Sequence, residues 1–329
     1  LQKMLRSVDW MDAESLKRAT DKGHYYLVKN YLWPEFFGAF YSFDGIDTYN
    51  KGYTNILKEL NSDVPPTYWE MLKSLKAGFQ ATEQFELVAL PGDRSKFLLS
   101  PATAAVWYQP ERNSITIPLG ILTPPYYDSK YPQQINYAGA GAVIGHEYWR
   151  GFDDEGAQFD WEGRLADCSF SGCSILDTPS QQGFNDMAEC VVGQYDAQCC
   201  PMARGRCVNG VNTKRSNLAD IGGLQASHYA YSSYASDNNE RLPGLEQFTP
   251  KQIFWMSYGA SMCTKMTDER LKDQLTTGTQ APSSCQVNQA IQDIPQFGED
   301  FMCKYKRGVF AMYPADEDKC SVWVGPETN

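Results

Sequence analysis

Asn136-Tyr137-Ala138-Gly139-Ala140-Gly141-Ala142-Val143-Ile144-Gly145-His146-Glu147-Tyr148-Trp149-Arg150-Gly151-Phe152-Asp153-Asp154-Glu155-Gly156 is the stretch around which the chain is organised. It reads as a buried helix. The small residues from Ala138 to Ala142 let a neighbouring element pack closely, Val143 and Ile144 are apolar, and Gly151 ends the run. His146 and Arg150 stand four residues apart, so their side chains lean over one helix face. Glu147 lies between them.

In zinc sites of the form H-E-x-x-H, two imidazoles at i and i+4 bind the metal and the intervening carboxylate polarises a water. Here the first His and the Glu are present. The second His position holds Arg150. A guanidinium stays protonated and has no lone pair to give a metal.

Working outward, the 329 residues are enough for one large domain or two ordinary ones. With 42% hydrophobic and 13% aromatic residues, the chain can build a sizeable core. Its formal net charge of -11 argues against nucleic acid or an anionic membrane as the main partner. No apolar run approaches the ~20 residues of a spanning helix. The chain opens at Leu1 with no signal-peptide pattern, as a mature or cut product would. Ten cysteines stand without paired C-x-x-C spacing, which points to disulfides in an oxidising compartment. There is no N-x-S/T sequon.

Residues 6–32 are expected to be helical, capped by Asp9 or Asp12. Residues 35–80 read as further helical pieces, and 86–90 as strand-like. Ser114-Ile115-Thr116-Ile117 alternates polar and apolar residues before Pro118, the period of a half-buried strand. Residues 119–135 form a Pro/Tyr-rich loop, and 156–163 a turn-rich connector. Residues 168–207 read as loops around one helix. A second major helix is expected over 214–235, with Asp220, Leu224 and His228 at steps of four. Residues 250–272 look helical, 276–298 irregular and 299–313 briefly helical. His24 reads as a surface residue and His228 as a core imidazole rather than a ligand.

Several stretches together resemble one family. Asn113–Leu122, Val143-Ile144-Gly145-His146-Glu147 with Gly151-Phe152-Asp153-Asp154, Val211-Asn212, Ala219-Asp220-Ile221-Gly222-Gly223-Leu224, Leu242-Pro243-Gly244-Leu245 and the terminal Cys320 and Trp323 are similar, in order and spacing, to the catalytic half of the neprilysin and endothelin-converting-enzyme family of zinc metallopeptidases. The resemblance runs from Trp10 to Trp323. It implies a mainly α fold with a small β-sheet (α+β), the thermolysin-like metallopeptidase catalytic domain. That domain is expected to span 1–329, with 1–80 as a helical lead-in, and most of the family's second, lid-like domain falls outside the chain.

The same resemblance locates the departures. The zinc-ligand positions are His146, Arg150 and Ser216, where the family has His, His and Glu. The Asp that orients the first His is Asp220. The substrate-groove segment is Ala105-Val106-Trp107-Tyr108, with Ala105 in place of the family's Asn. Gln280 stands where a late His stabilises the oxyanion, and Gln286 where an Arg holds the substrate. Glu147, Asp220 and Gln280 are therefore read as vestiges of a catalytic set, and zinc is expected to be lost.

One expectation assigns the lost metal's structural role to Arg150, with Glu147, Asp153 and Asp220 around its guanidinium. The function implied is that of a catalytically inactive homologue, extracellular, acting as a binding or structural component of an assembly. The alternative is a weak zinc endopeptidase acting on peptides. Cys190 and Cys320 are expected to pair. Cys263 and Cys303 stand where the family's partners precede Leu1, so a protein partner or an N-terminal half of the same precursor is expected at them. Cys168–Cys173 and a bridge from Cys199 or Cys200 to Cys207 are local expectations, and Cys285 has no assigned partner.

Overall fold

In the computed structural model, residues 1–31, 67–73, 76–77, 80, 94, 103–166, 168–169, 172–197, 206–235, 241–303 and 319–325 are described. The chain divides into two compact units. One comprises Leu1–Lys29 and Ala102–Asn329, the other Asn30–Pro101. The described part of the smaller unit includes a helical run at 68–73, on which Tyr68 and Trp69 are exposed. The expectations for 35–66 and for the strand at 86–90 lie outside the described residues.

The larger unit opens with helix α1 (Gln2–Ser7) and helix α2 (Ala13–Thr20). Asp12 is the cap of α2: its side chain accepts from the Ser15 amide at 2.6 Å, satisfying one of the amides left free at a helix start. A π-turn, Asp21–Tyr25, follows, and then strand β1, Val28–Tyr31. The helix expected to run to residue 32 therefore stops short. The sequence Tyr-Leu-Val-Lys-Asn-Tyr holds aromatic and branched residues that suit a pleated edge, and Val28 donates to the Asn113 carbonyl.

Strand β2 (Trp107–Gln109) and strand β3 (Ser114–Ile117) are antiparallel, with Trp107 opposite Thr116 and Gln109 opposite Ser114. The sheet order is β1-β3-β2. All four residues of β3 are buried, Ser114 and Thr116 included. The alternation expected for a half-buried strand fails here because β3 is central and covered on both faces.

Helix α3 (Gln133–Asn136), a π-turn (Tyr137–Gly141) and helix α4 (Ala142–Trp149) make one continuous rod. The hairpin of β4 (Cys168–Ser169) and β5 (Gly172–Cys173) is clipped by a Cys168–Cys173 disulfide. Helix α5 spans Thr178–Ala197, and helix α6 spans Gly210–Tyr234, opened by an Asn209 cap that accepts from Asn212. The remaining helices are α7 (Pro250–Ser261), α8 (Asp268–Thr277), α9 (Ser283–Gln292) and α10 (Pro295–Asp300). Two of these correct the expected irregularity over 276–298. Their glutamine-rich composition weakens the apolar period, yet Cys285, Ala290 and Ile291 of α9 are buried in the core.

Helix α6 is buried nearly all round, from Leu218 through Leu224 without a break. The stacked indoles of Trp149 and Trp323, 4.5 Å apart at their centroids, lie against it. A Cβ on Gly222 would stand 2.6 Å from Trp323 and 2.7 Å from Trp149, so only glycine admits both rings. A disulfide between Cys190 of α5 and Cys320 holds the C-terminal segment down. Cys207 and Cys285 are each disulfide-bonded. Among the described residues no helix is long and apolar enough to cross a membrane.

Candidate active site

The crossing of α4 and α6 places the candidate residues. A Cβ at Gly223 would lie 2.2 Å from the His146 amide nitrogen, and one at Gly145 would lie 2.5 Å from the Gly223 carbonyl oxygen. The two backbones meet because neither residue has a side chain. Three residues before Gly223, on the same approach, Asp220 comes under the imidazole of His146.

The His146 Nδ1 to Asp220 Oδ1 distance is 2.6 Å. The other Asp220 oxygen accepts from Gln286 Nε2 at 2.5 Å, delivered by α9. His146 Nε2 faces Glu147 Oε1 at 3.8 Å. Glu147 Oε2 in turn accepts from the Tyr108 amide at 2.9 Å, which ties α4 to β2. So the structure brings together His146, Glu147, Asp220, Gln286 and Tyr108. Burial alone would lower the imidazole's pKa, but the charge and hydrogen bond of Asp220, with Glu147 behind them, raise it above its ordinary value. Burial pushes the Glu147 carboxyl upward against the opposing pull of His146, Tyr108 and Arg150.

Arg150 does not occupy the centre of this cluster. Its Nη1 pairs with Asp153 Oδ2 at 2.6 Å. The expectation of a guanidinium among Glu147, Asp153 and Asp220 is thus met as an ion pair at Asp153, with its charge felt by Glu147 and no described contact with Asp220. The reason is local: Asp153 is 1% exposed and lies three residues on, where a side chain from the last turn of α4 reaches it without crossing the buried groove. Arg215 Nε also reaches Asp153, at 3.2 Å, while its Nη2 pairs with Glu155. The Glu155 and Gly156 amides donate to Asp153 as well. Two cations and two amides therefore neutralise one buried carboxylate.

Ser216 lies one turn before Asp220 on α6. It is 5% exposed, and its hydroxyl has no hydrogen-bond partner among the described residues. Val106 is buried at the start of the groove segment and Ala105 is exposed. Gln280 is exposed in the turn between α8 and α9, where its carbonyl accepts from Gln274; it makes no described contact with the cluster. His24 is exposed, and His228 is buried against Trp255 with centroids 4.7 Å apart.

A catalytic zinc needs three protein donors and an open position. Of the residues gathered here, His146 Nε2 and Glu147 offer lone pairs. Both Asp220 oxygens are engaged, Arg150 is a cation turned to Asp153, and Ser216 brings a neutral hydroxyl. This donor set does not fit a three-ligand zinc centre. What it offers instead is a half-buried imidazole held by a buried carboxylate, beside a strand of the sheet.

Two supporting residues carried no functional signal in the sequence. Lys22 is 1% exposed, donates to the Gly156 and Phe159 carbonyls, and is pushed down by burial to about 7. Asn113 has φ 40°, accepts from the Tyr108 hydroxyl and donates to the Lys22 and Trp161 carbonyls. Its type, tolerant of the left-handed region, is a weak clue.

Residues 105–320 match the sequence profile described as "Peptidase family M13". The chain is 33% identical over 323 residues to "Neprilysin-11" of Caenorhabditis elegans, covering 97% of this chain and 35% of that protein. Among solved structures, a chain of the "Haemonchus galactose containing glycoprotein complex" superposes with TM-score 0.75 at 42% identity, over 98% of this chain and 49% of that one. The zinc metalloprotease Zmp1 of Mycobacterium tuberculosis superposes with the same TM-score of 0.75 at 22% identity, over 98% and 45%, which speaks to the fold. The chain thus spans less than half the length of each of these relatives.

Proposed function

Because the chain belongs to peptidase family M13, the neprilysin family, and has that family's thermolysin-like catalytic fold, we propose that it acts as a non-catalytic member, an extracellular binding or structural component of a protein assembly. The observation that carries this reading is the donor set at the α4–α6 crossing. A permanent cation and a hydroxyl stand at two of the three positions where the family resemblance expects electron-pair donors, and the cation is committed to Asp153. Without a metal, Glu147 has no activated water to deprotonate. The assembly role is supported by the 42% identity to a chain of a glycoprotein complex, and the extracellular setting by the disulfides. The unpaired, exposed Cys263 and the half-buried, unpaired Cys303 are the points at which a partner chain or another part of the same precursor would attach.

A weak zinc endopeptidase is the second reading. It is favoured by one observation: the 2.6 Å His146–Asp220 contact is the arrangement that orients a metal-bound imidazole.

Metal analysis of the purified protein, with peptide cleavage assayed in the presence and absence of a chelator, separates the two. The first reading expects zinc well below one ion per molecule and no chelator-sensitive cleavage. One tightly held zinc with chelator-sensitive cleavage would establish the second. The double variant Arg150→His with Ser216→Glu is expected to gain one zinc per molecule, since the orienting Asp220 is already in place.

A further inference from the structure

Helix α4 has a second face. Positions 141, 144, 145 and 148 form a stripe at i, i+3, i+4 and i+7, turned away from His146, Glu147 and Arg150. On α6 the matching stripe is 226, 227 and 230. Between them, roofed by Leu1 and Gln2, lies a cavity of about 420 Å3. It is separate from the groove beside β2, because the whole thickness of α4 stands between.

The chemistry of its walls is lopsided. Ile144, Tyr148 and Trp149 supply apolar surface, and Ala226 with Ala230 leave the space open. The hydroxyl of Ser227 is already committed to the Tyr137 carbonyl at 2.6 Å, so it is not the anchor for a neutral polar ligand. The groups that can carry positive charge are His24 and Lys29, both exposed, and the partly buried amino group of Leu1, whose pKa burial lowers. Among the described residues no carboxylate lines the cavity, although the chain carries 40 acidic residues against 29 basic ones.

We propose that this cavity binds an amphipathic monocarboxylate of the long-chain fatty-acid class. The acyl chain lies along the apolar stripe of α4 and α6, and the carboxylate meets the Lys29 ammonium at the mouth. The volume is in the range of small-molecule sites, roughly 300–1,000 Å3, which are mostly apolar with a few placed polar groups. Lysine serves here as a point charge, which suits a flexible ligand headgroup better than a bidentate fork would. This site is independent of the reading given for the α4–α6 groove.

Titration of the intact protein with oleate, with oleyl alcohol, and with neutral phosphatidylcholine vesicles tests it, followed by displacement of a fluorescent fatty acid. Saturable binding of one oleate per chain is expected, with oleyl alcohol at least about tenfold weaker and no binding to the vesicles. Ala226→Phe fills the cavity and is expected to weaken oleate by about tenfold or more. Lys29→Glu, at an exposed position that leaves the core untouched, is expected to remove the preference for oleate over the alcohol. Absence of saturable oleate binding would overturn the proposal. So would equal binding of acid and alcohol, vesicle binding in place of free-acid binding, or unchanged affinity in Lys29→Glu, and this last result decides the matter even if Ala226→Phe does not fold.

Discussion

Arg150, 27% exposed, spends its charge on Asp153, which is 1% exposed. Its removal leaves that carboxylate to Arg215 and two amides. Arg150→Ala is therefore expected to lower stability by roughly 1–3 kcal/mol, less than a fully orphaned buried charge would cost because Arg215 remains; chemical denaturation measures it, and an unchanged midpoint would show the pair to be idle. The sequence revealed that position 150 could not ligate metal, since that follows from the side chain alone. It did not reveal which way the guanidinium turns, because the burial of Asp153 and its sharing with Arg215 arise only in the fold. Asp293 makes a second case at this scale. Burial raises its carboxyl to about 7 from an ordinary 3.8, against the opposing pull of Gln194, of the Cys320 amide that donates to it, and of Lys319. The folded state keeps this proton up to about pH 7, whereas the unfolded chain releases it near 3.8. Its contribution is thus most favourable below 3.8 and declines as pH rises to about 7. Asp293→Asn should flatten that part of the stability profile and leave the variant more stable than the parent at pH 8, as followed by denaturation across pH.

Among the elements, α4 and α6 show how small residues set chemistry. The expectation that a neighbour packs closely on 138–142 came from glycine and alanine spacing; the contact is as tight at Gly145 and tighter at Gly223. Gly223→Ala places a methyl 2.2 Å from the His146 amide. It is expected to destabilise by about 1–3 kcal/mol or more through overpacking, and to separate His146 from Asp220, which the imidazole NMR signals would report; native-like signals would refute the close-approach argument. Elements with strong end signals were legible in this way: Asp12 before α2, Gly151 after α4. Helix α9 was not, because Gln286, Gln289 and Gln292 are buried polar residues, with Gln286 donating to Asp220 and Gln289 accepting from Gln194 and from Gln292 of its own helix, and a local apolar period cannot register them. Strand β1 was missed for a related reason: its neighbour in the sheet, β3, lies more than eighty residues on.

At the scale of the whole molecule, the Cys190–Cys320 bridge closes a separation of 130 residues and holds Trp323 in its stack with Trp149. Replacing both cysteines by alanine is expected to cost about 2–5 kcal/mol, within the range for native bridges, with a lowered melting temperature as the readout; an unchanged melt would mean that packing alone holds the segment. The sequence by itself determined the family, the mainly helical fold with its small sheet, and the identity of the residues at the ligand positions. These follow from local spacing, from the order of motifs, and from what a side chain can donate. Only the tertiary structure decided that Asp153 is buried and shared between Arg150 and Arg215, that both Asp220 oxygens are engaged, and that α4 carries a cavity on the face away from His146. Those are matters of distance between residues far apart in the chain, and long-range distance is set by how helices pack.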